Sequence, residues 1–211
     1  PSLPFALAFL PFHQVPRVRL YQDSTFLKRV GDGPTLWHSD LSMAPFHTNE
    51  AVTMWLPLTP IPPEDEGGTG LLFASGSHRD FALSFWEDAK GGGRRDLEGR
   101  YALDSYGRME VGDATWHHGW CLHSSGPNDL EEDRMAFTLC FVADGAEMLE
   151  GGEGKLGGGR GPDDEDEESY RDWRGKVGRR VGEKEHVYLP LVWDEAWGST
   201  DTRQKGGTGE A

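Results

Sequence analysis

The sequence has little cysteine: Cys121 and Cys140 are the only two among 211 residues. This excludes a fold held together by a framework of disulfides, because such a framework needs several cysteine pairs. Two buried, reduced thiols are the favoured interpretation, although the two residues could also lie on neighbouring strands.

Positive charge is also scarce, with 21 Lys and Arg against 36 Asp and Glu and a net charge of −15. This balance argues against nucleic acid or an anionic membrane as the main partner, although a local pocket can still be basic and accept an anionic small molecule. No apolar run approaches the ~20 residues of a membrane-spanning helix. The apolar opening, PSLPFALAFLPF, is interrupted by prolines and has no basic leader. We therefore expect no membrane span and no nucleic-acid partner, favour a cytoplasmic location, and leave the oligomeric state open.

Glycine and proline are abundant, at 29 and 13 residues, and they favour short segments joined by tight turns. Strand-like segments recur along the chain without alternating helices, which indicates a β-sandwich or barrel. Residues 79–100 resemble a surface excursion with one helical turn near FALSFWEDAK. The strand-like segments are RVRLYQDSTF, EAVTMWLPL, GLLFASGSH, RMEVGDATWHHGWCLHSSGPND and RMAFTLCFVADG.

Composition divides the chain into three parts. Residues 1–148 are predicted to form a single β-rich core, and the missing initial methionine suggests that this core is short at its N-terminus. Residues 149–172 are rich in glycine and acid, which is typical of a flexible linker or loop. Residues 173–211 are predicted to form a tail that is partly docked and then disordered.

The triplet His38-Ser39-Asp40 is the first candidate for a metal site. In an extended strand, residues i and i+2 point to the same face, so the imidazole and the carboxylate can converge on one point. A second imidazole would complete a two-histidine, one-carboxylate triad, which leaves three positions open on Fe(II). From the triplet alone, an ordinary polar pair at a strand end remains an alternative.

The segment around His123 supplies the missing parts. His123 precedes a turn, and Arg134 opens the next strand eleven residues later, so a hairpin would bring the two close together. Along that strand Arg134 shares a face with small side chains, which leave room for a ligand that the guanidinium could clamp by its carboxylate. A surface arginine paired with a neighbouring acid is the alternative. The small side chains are Ala136, Thr138 and Cys140, and the acids are Glu131, Glu132 and Asp133.

These motifs together resemble the phytanoyl-CoA dioxygenase family of Fe(II)- and 2-oxoglutarate-dependent oxygenases. The resemblance covers about residues 17–143 and departs from the family pattern at Ala74-Ser75, where proline is usual. In chain order it rests on YQDSTFLK, the HxD triplet, VTMWLPLTP, GLLFASGSH, GD, then His123, Ser125, Gly126, Pro127, Asn128 and Arg134.

The resemblance implies a mainly β fold, a double-stranded β-helix of the jelly-roll, cupin-like type with a few flanking helices. It implies that His38, Asp40 and His123 bind iron, and that Arg134 and Ser125 bind 2-oxoglutarate. Further residues of the co-substrate pocket would be Lys28, Tyr21, Thr53 and Trp55, although Lys28 could be a solvated lysine and Trp55 plain core packing.

The implied activity is hydroxylation of a small organic substrate with O2 as oxidant, and with succinate and CO2 as co-products. Asp40 favours hydroxylation because related halogenases have a small residue in place of the carboxylate. The substrate is not indicated. A catalytically silent metal-binding barrel and a metalloenzyme that does not use 2-oxoglutarate are the alternatives. The adjacent His117 and His118 point to opposite faces of a strand; one could sit near the iron, but neither is predicted to be a ligand.

Overall fold

The computed structural model describes residues 15–80, 97, 99–149, 165–184 and 187–195, without side chains for 165–170. Within these residues the chain forms eleven β-strands and helix α1, Glu165–Val177. Short 3-10 helices lie at Asp40–Ser42, Glu64–Glu66 and Ser77–Arg79. The strands are β1 Arg17–Lys28, β2 Thr35–His38, β3 Phe46–His47, β4 Ala51–Pro57, β5 Leu71–Ala74, β6 Leu103–Ser105, β7 Thr115–His118, β8 His123–Ser125, β9 Arg134–Ala143, β10 Glu147–Met148 and β11 Leu191–Asp194.

The strands form two main antiparallel sheets and one short ribbon. The larger sheet has the order β11-β1-β9-β4-β7, and the smaller sheet has the order β2-β8-β5-β6. Strands β3 and β10 pair separately. Strands that are neighbours in a sheet are distant in sequence, which is the connectivity of a jelly roll. The predicted mainly β, double-stranded β-helix architecture is thus confirmed.

The alternation along β4 explains how the larger sheet separates its two faces. Val52 and Met54 pack with Phe141 and Val18 in a hydrophobic cluster. The intervening Thr53 and Trp55 line a cavity, which Val52 and Phe141 also border. On the neighbouring β9, Thr53 pairs with Cys140. The side chains of Arg134, Thr138 and Cys140 line the same cavity, as the sequence alternation predicts.

The described C-terminal residues pack against the β-sheets. Val177, Val181 and Leu189 are buried in one cluster with Leu41 and Phe46. The guanidinium of Arg19, which is fully buried, donates to Asp144 and to the carbonyl oxygen of Leu189 at 2.8 Å. Apolar burial and a hydrogen bond from Arg19 of β1 therefore join this segment to the sheets, and the ion pair with Asp144 holds Arg19 in place.

Two predicted segments fall partly or wholly outside the described residues. The helical turn expected at FALSFWEDAK lies outside them, as do residues 150–164 of the predicted linker. Helix α1 begins at Glu165, inside the range predicted as linker. The division into core, linker and tail therefore stays a prediction. Of the helices in the described part of the chain, none is long and apolar enough to cross a membrane.

Candidate metal and anion site

A cavity of about 620 Å³ opens between the two sheets, and all of the predicted site residues line it. Its walls carry polar groups from β1, β2, β4, β7, β8 and β9 on a mainly apolar lining. Two chemically distinct ends can be recognised in it. One holds imidazoles and a carboxylate, and the other holds two cationic side chains.

The metal end is built on one cross-strand pair and the turn that follows it. His38 ends β2 and lies directly opposite His123, the first residue of β8. Asp40 opens the 3-10 helix that follows β2. Its Oδ1 lies 3.9 Å from Nε2 of His38 and 3.6 Å from Nε2 of His123. One ligand atom from each residue lies within 4.8 Å of the others, so the three can surround a single metal ion.

The imidazoles are oriented by backbone carbonyls. Nδ1 of His38 lies 2.8 Å from the carbonyl oxygen of Leu36, and Nδ1 of His123 lies 3.0 Å from that of Cys121. In the tautomer that donates these bonds, each Nε2 keeps a free lone pair for a metal. Burial lowers the pKa of His123 to about 3, so this imidazole is neutral at physiological pH, as a ligand must be.

Asp40 is held through the oxygen that faces away from the two histidine ligands. Thr53 donates its hydroxyl to Oδ2 at 2.5 Å, and Nε2 of His117 lies 3.0 Å from the same oxygen. Burial alone would raise the pKa of Asp40, but the hydrogen bond from His117, the nearby imidazoles and Thr53 hold it well below its usual range. Asp40 is therefore an anion, and its Oδ1 is left to face the histidine pair.

The turn that carries Asp40 depends on a glycine. Leu41 donates its backbone N–H to the carbonyl oxygen of Gly119 at 2.9 Å, directly after β7. A Cβ on Gly119 would lie 2.6 Å from Cγ of Leu41, closer than side-chain atoms approach. Only glycine lets the turn after His38 pack this closely against the end of β7.

The cationic end is built on a second cross-strand pair, since Lys28 at the end of β1 lies opposite Arg134 at the start of β9. Nζ of Lys28 donates to Oγ of Ser125 at 2.9 Å and to the carbonyl oxygen of Gly126 at 2.6 Å. The guanidinium of Arg134 donates to Oγ1 of Thr69 at 3.2 Å and lies 3.5 Å from Oγ of Ser125. Ser125 thus lies between two buried cations.

Neither cation forms a salt bridge with a carboxylate among the residues described, although the charge of Asp32, which also lines the cavity, partly offsets the fall in the pKa of Lys28. Burial lowers the pKa of Arg134 to about 10. Burial and the charge of Arg134 lower the pKa of Lys28 to about 8. Both groups are mainly charged at neutral pH, although their burial disfavours these charges. The arrangement is suited to a bound anion.

The other predicted pocket residues have different positions. Trp55 is buried, and the guanidinium carbon of Arg134 lies 5.5 Å from its ring centre, so Trp55 packs against the cationic end. Thr53 contacts Asp40 at the metal end rather than the cations.

Tyr21 lines the same cavity but lies further along β1 than Lys28, so its role in co-substrate binding stays a prediction. Tyr21 lies at the β-bulge of β1 and packs edge-on against Phe46, with ring centres 4.6 Å apart. Tyr21 is seven residues from Lys28, or about 23 Å along a strand that rises ~3.3 Å per residue. Tyr21 still lines the cavity, but away from the two cations.

The sequence did not predict two residues that contact the site. His117 contacts Asp40 at the metal end, and Thr69 contacts Arg134 at the cationic end. His117 pairs with Thr53 across β4 and β7, and this register brings both to the same carboxylate. The alternation in TWHH did indicate that one of the adjacent histidines could face the site. For Thr69, which lies in a turn region before β5, no periodic signal was present.

A double-stranded β-helix with two histidines and one carboxylate converging between its sheets defines a class of non-haem metal enzymes. The family model described as "Phytanoyl-CoA dioxygenase (PhyH)" matches residues 6–136, well over half of the chain. The chain belongs to this family, whose enzymes use Fe(II), 2-oxoglutarate and O2. The comparison with curated proteins gives no match.

Solved structures share the fold. The epimerase SnoN from nogalamycin biosynthesis, described in complex with Fe3+, α-ketoglutarate and nogalamycin RO, has a TM-score of 0.64 and 23% identity over 89% of this chain and 69% of that chain. The α-ketoglutarate-dependent carbocyclase SnoK has a TM-score of 0.60 and 20% identity over 84% of this chain and 63% of that chain. At these identities the likeness is one of fold, and the chain spans about two thirds of either structure.

Proposed function

We propose that the protein is an Fe(II)- and 2-oxoglutarate-dependent dioxygenase that hydroxylates a small organic substrate, with succinate and CO2 as co-products. One observation supports this more than any other. The cavity that holds His38, Asp40 and His123 also holds the buried cations Lys28 and Arg134, neither of which forms a salt bridge with a carboxylate in the described part of the chain. A metal-binding barrel without an anionic co-substrate has no need of that second end.

The donor set fits the metal. Two imidazole nitrogens and one carboxylate oxygen on one side of an ion leave its remaining positions open to small molecules. When bound there, Fe(II) with 2-oxoglutarate supplies the activation of O2 for oxidation of a substrate C–H bond. His38 and His123 would hold the ion through Nε2, and Asp40 would hold it through Oδ1.

The cationic end fits the distal carboxylate of 2-oxoglutarate. Arg134 can present two parallel N–H groups to a carboxylate, and Lys28 adds a second positive charge. Ser125 contacts both cations and supplies a further hydroxyl. Trp55 packs against Arg134 and keeps water from one side of the guanidinium. The two ends together would orient the co-substrate between the metal and the clamp.

Hydroxylation is proposed because Asp40 is present as a metal-binding carboxylate. The fold alone does not determine the reaction, since SnoN is described as an epimerase and SnoK as a carbocyclase. Product mass separates these outcomes. Hydroxylation adds one oxygen atom to the substrate, epimerisation leaves the mass unchanged, and carbocyclisation removes two hydrogen atoms.

The test of the proposal is an anaerobic titration. Adding Fe(II) and then 2-oxoglutarate is expected to produce a weak charge-transfer band in the visible region, and admission of air is expected to yield succinate. His38→Ala should abolish the band. His47→Ala, which removes an exposed histidine on β3, should preserve it. Absence of both the band and succinate in the wild-type protein would contradict the proposal.

A catalytically silent metal-binding barrel is the second candidate. It predicts metal binding without a charge-transfer band, because 2-oxoglutarate would not join the metal. The paired cations opposite Ser125 favour the oxygenase over this candidate. A small-molecule substrate, no nucleic-acid partner and a cytoplasmic location accompany the proposal as predictions.

A further inference from the structure

His117 contacts the candidate metal centre without belonging to its ligand set. Its side chain is only 3% exposed, and its Nε2 lies 3.0 Å from Oδ2 of Asp40. The group of converging ligand atoms consists of His38, Asp40 and His123. The ring centre of His117 lies 4.4 Å from that of His123, so the two imidazoles pack side by side.

The larger sheet directs two hydrogen-bond donors at a single carboxylate oxygen. Thr53 and His117 are direct partners across β4 and β7, and both contact Oδ2 of Asp40. The other oxygen, Oδ1, faces His38 and His123 from the smaller sheet. Asp40 therefore lies between a cross-strand pair of one sheet and a cross-strand pair of the other.

The buried Nδ1 of His117 indicates why a histidine occupies this position. Among the described residues, Nδ1 has no hydrogen-bond partner. With a proton on Nε2, the imidazole donates that N–H to Oδ2 of Asp40, and this is the hydrogen bond that the ring makes within the described residues. A side chain that merely filled this space would be better apolar, because an unpaired buried nitrogen destabilises the fold.

We infer that His117 is a positioning residue that, together with Thr53, makes Asp40 a single-oxygen ligand. A carboxylate whose Oδ2 accepts two hydrogen bonds must break both before it can turn that oxygen toward the metal. Asp40 then occupies one coordination position rather than two, and room remains for the co-substrate and O2. This inference rests on the proposed function, since it deepens the account of the same metal centre.

Two substitutions of His117 test this inference, because the side-chain amides of glutamine and asparagine differ in length. In His117→Gln the side-chain amide can replace Nε2–H as a donor to Asp40. In His117→Asn the amide is too short to reach Asp40, although its polarity is the same. Loss of an outer partner of a metal ligand typically weakens metal binding about 10- to 100-fold. We expect that loss for His117→Asn, and near wild-type affinity for His117→Gln.

The measurement is anaerobic titration with Co(II), which replaces Fe(II) and reports its coordination through visible absorption. His117→Asn is expected to bind Co(II) more weakly and with a changed spectrum, because Asp40 is free to bind through both oxygens. Thermal unfolding of the metal-free proteins gives the second readout. A purely structural role would lower the stability of the metal-free protein while leaving the Co(II) spectrum of the folded variant unchanged.

His118→Asn is the matched control. His118 is adjacent on β7 but points to the opposite face, where its ring stacks on His78 at 5.1 Å and its Nδ1 accepts the backbone N–H of Trp120. The oxygen of asparagine can accept the same bond, so Co(II) affinity should be unchanged.

Wild-type Co(II) affinity and spectrum in His117→Asn would overturn the inference and leave the proposed function intact. Equal weakening in the Gln and Asn variants would also overturn it, because the donor would then not be the cause. Failure of the wild-type protein to bind Co(II) would instead overturn the proposed function, and the inference with it. If His117→Asn does not fold, Thr53→Val removes the partner donor from the same oxygen, and an unchanged spectrum there would overturn the inference.

Discussion

The metal end and the cationic end of the cavity are both built on a pair of residues from adjacent antiparallel strands, but their charges are compensated differently. Each is built on a cross-strand pair, His38 with His123 at one end and Lys28 with Arg134 at the other. At the metal end the carboxylate of Asp40 is already satisfied by donors from the larger sheet. At the cationic end two buried cations share neutral hydroxyls.

This difference indicates which end is complete in the protein alone. The metal end has its orientation fixed by hydrogen bonds within the chain. The cationic end is electrostatically incomplete, since burial lowers the pKa values of both Lys28 and Arg134. A bound anion would compensate these two charges beyond what the nearby Asp32 provides. The two ends are therefore expected to respond separately to mutation.

The largest expected effect is that of Asp40→Ala on metal binding. Removing a direct ligand should weaken Co(II) binding by more than the ~100-fold upper range for outer partners of metal ligands. Anaerobic titration measures this effect. Thr138→Ser, a conservative change elsewhere on the cavity wall, serves as the control. Wild-type Co(II) affinity in Asp40→Ala would show that the metal binds elsewhere.

Arg134→Gln should affect the cationic end alone. Truncating one partner of a buried, hydrogen-bonded charge pair typically costs about 2–5 kcal/mol, so the Kd of 2-oxoglutarate should rise at least ~30-fold. The charge-transfer band, titrated with 2-oxoglutarate, measures this change. Co(II) affinity without 2-oxoglutarate should stay at the wild-type value, and a parallel loss of Co(II) affinity would contradict the separation of the two ends.

Gly119→Ala should disturb the metal end through packing. The added Cβ would meet Leu41 at 2.6 Å, so the turn that carries Asp40 must shift. Overpacking of this kind typically lowers the free energy of unfolding by about 1–3 kcal/mol. Urea unfolding measures the loss, and Co(II) titration should show weaker binding. In Gly175→Ala, within α1, the new Cβ meets no atom within 4 Å, so no loss is expected.

The smallest effect is a pH dependence that arises from Lys28, whose pKa is lowered to about 8 by burial and by Arg134. Above that pH the lysine loses its charge, so 2-oxoglutarate affinity should fall by up to ~10-fold per pH unit. Lys28→Met should bind 2-oxoglutarate more weakly at pH 7 and lose this dependence. An identical pH profile in the variant would exclude Lys28 as the titrating group.

The same lowered pKa predicts a change in the stability of the protein without ligand. Above pH 8 the folded protein releases the proton of Lys28, whereas the unfolded chain keeps it up to its ordinary pKa of 10.5. The unfolded state then binds more protons, so the contribution of Lys28 to stability rises with pH in this interval. Urea unfolding of wild type and Lys28→Met, compared at pH 7.5 and 9.5, isolates that contribution.

The sequence predicts the positions that follow a local pattern or a motif. His38 and Asp40 converge because Ser39 between them has an extended backbone, although β2 ends at His38 and Asp40 opens a 3-10 helix. The alternation after Arg134 predicts that Thr138 and Cys140 line the cavity. The fold class and the family likewise follow from ordered motifs in the sequence. The predicted hairpin between the strands of His123 and Arg134 is wrong, because β8 and β9 lie in different sheets.

What the sequence does not predict depends on register between distant strands. The pairing of Thr53 with His117 follows from how β4 meets β7, and neither segment specifies it alone. The position of Tyr21 depends on a bulge in β1 that shifts its pairing with β9. The contact of Thr69 with Arg134 arises in a turn region without periodicity.

The hydrogen bonds of the site join residues that are far apart in the sequence, and this has a consequence for folding. The bond between His117 and Asp40 joins residues 77 apart, and that between Lys28 and Ser125 joins residues 97 apart. Such non-local contacts are associated with slow folding, because chain entropy is lost before the contacts form. The cavity can take shape only when both sheets have assembled. Acquisition of metal affinity during refolding should therefore follow the appearance of β-structure and mark the end of the folding process.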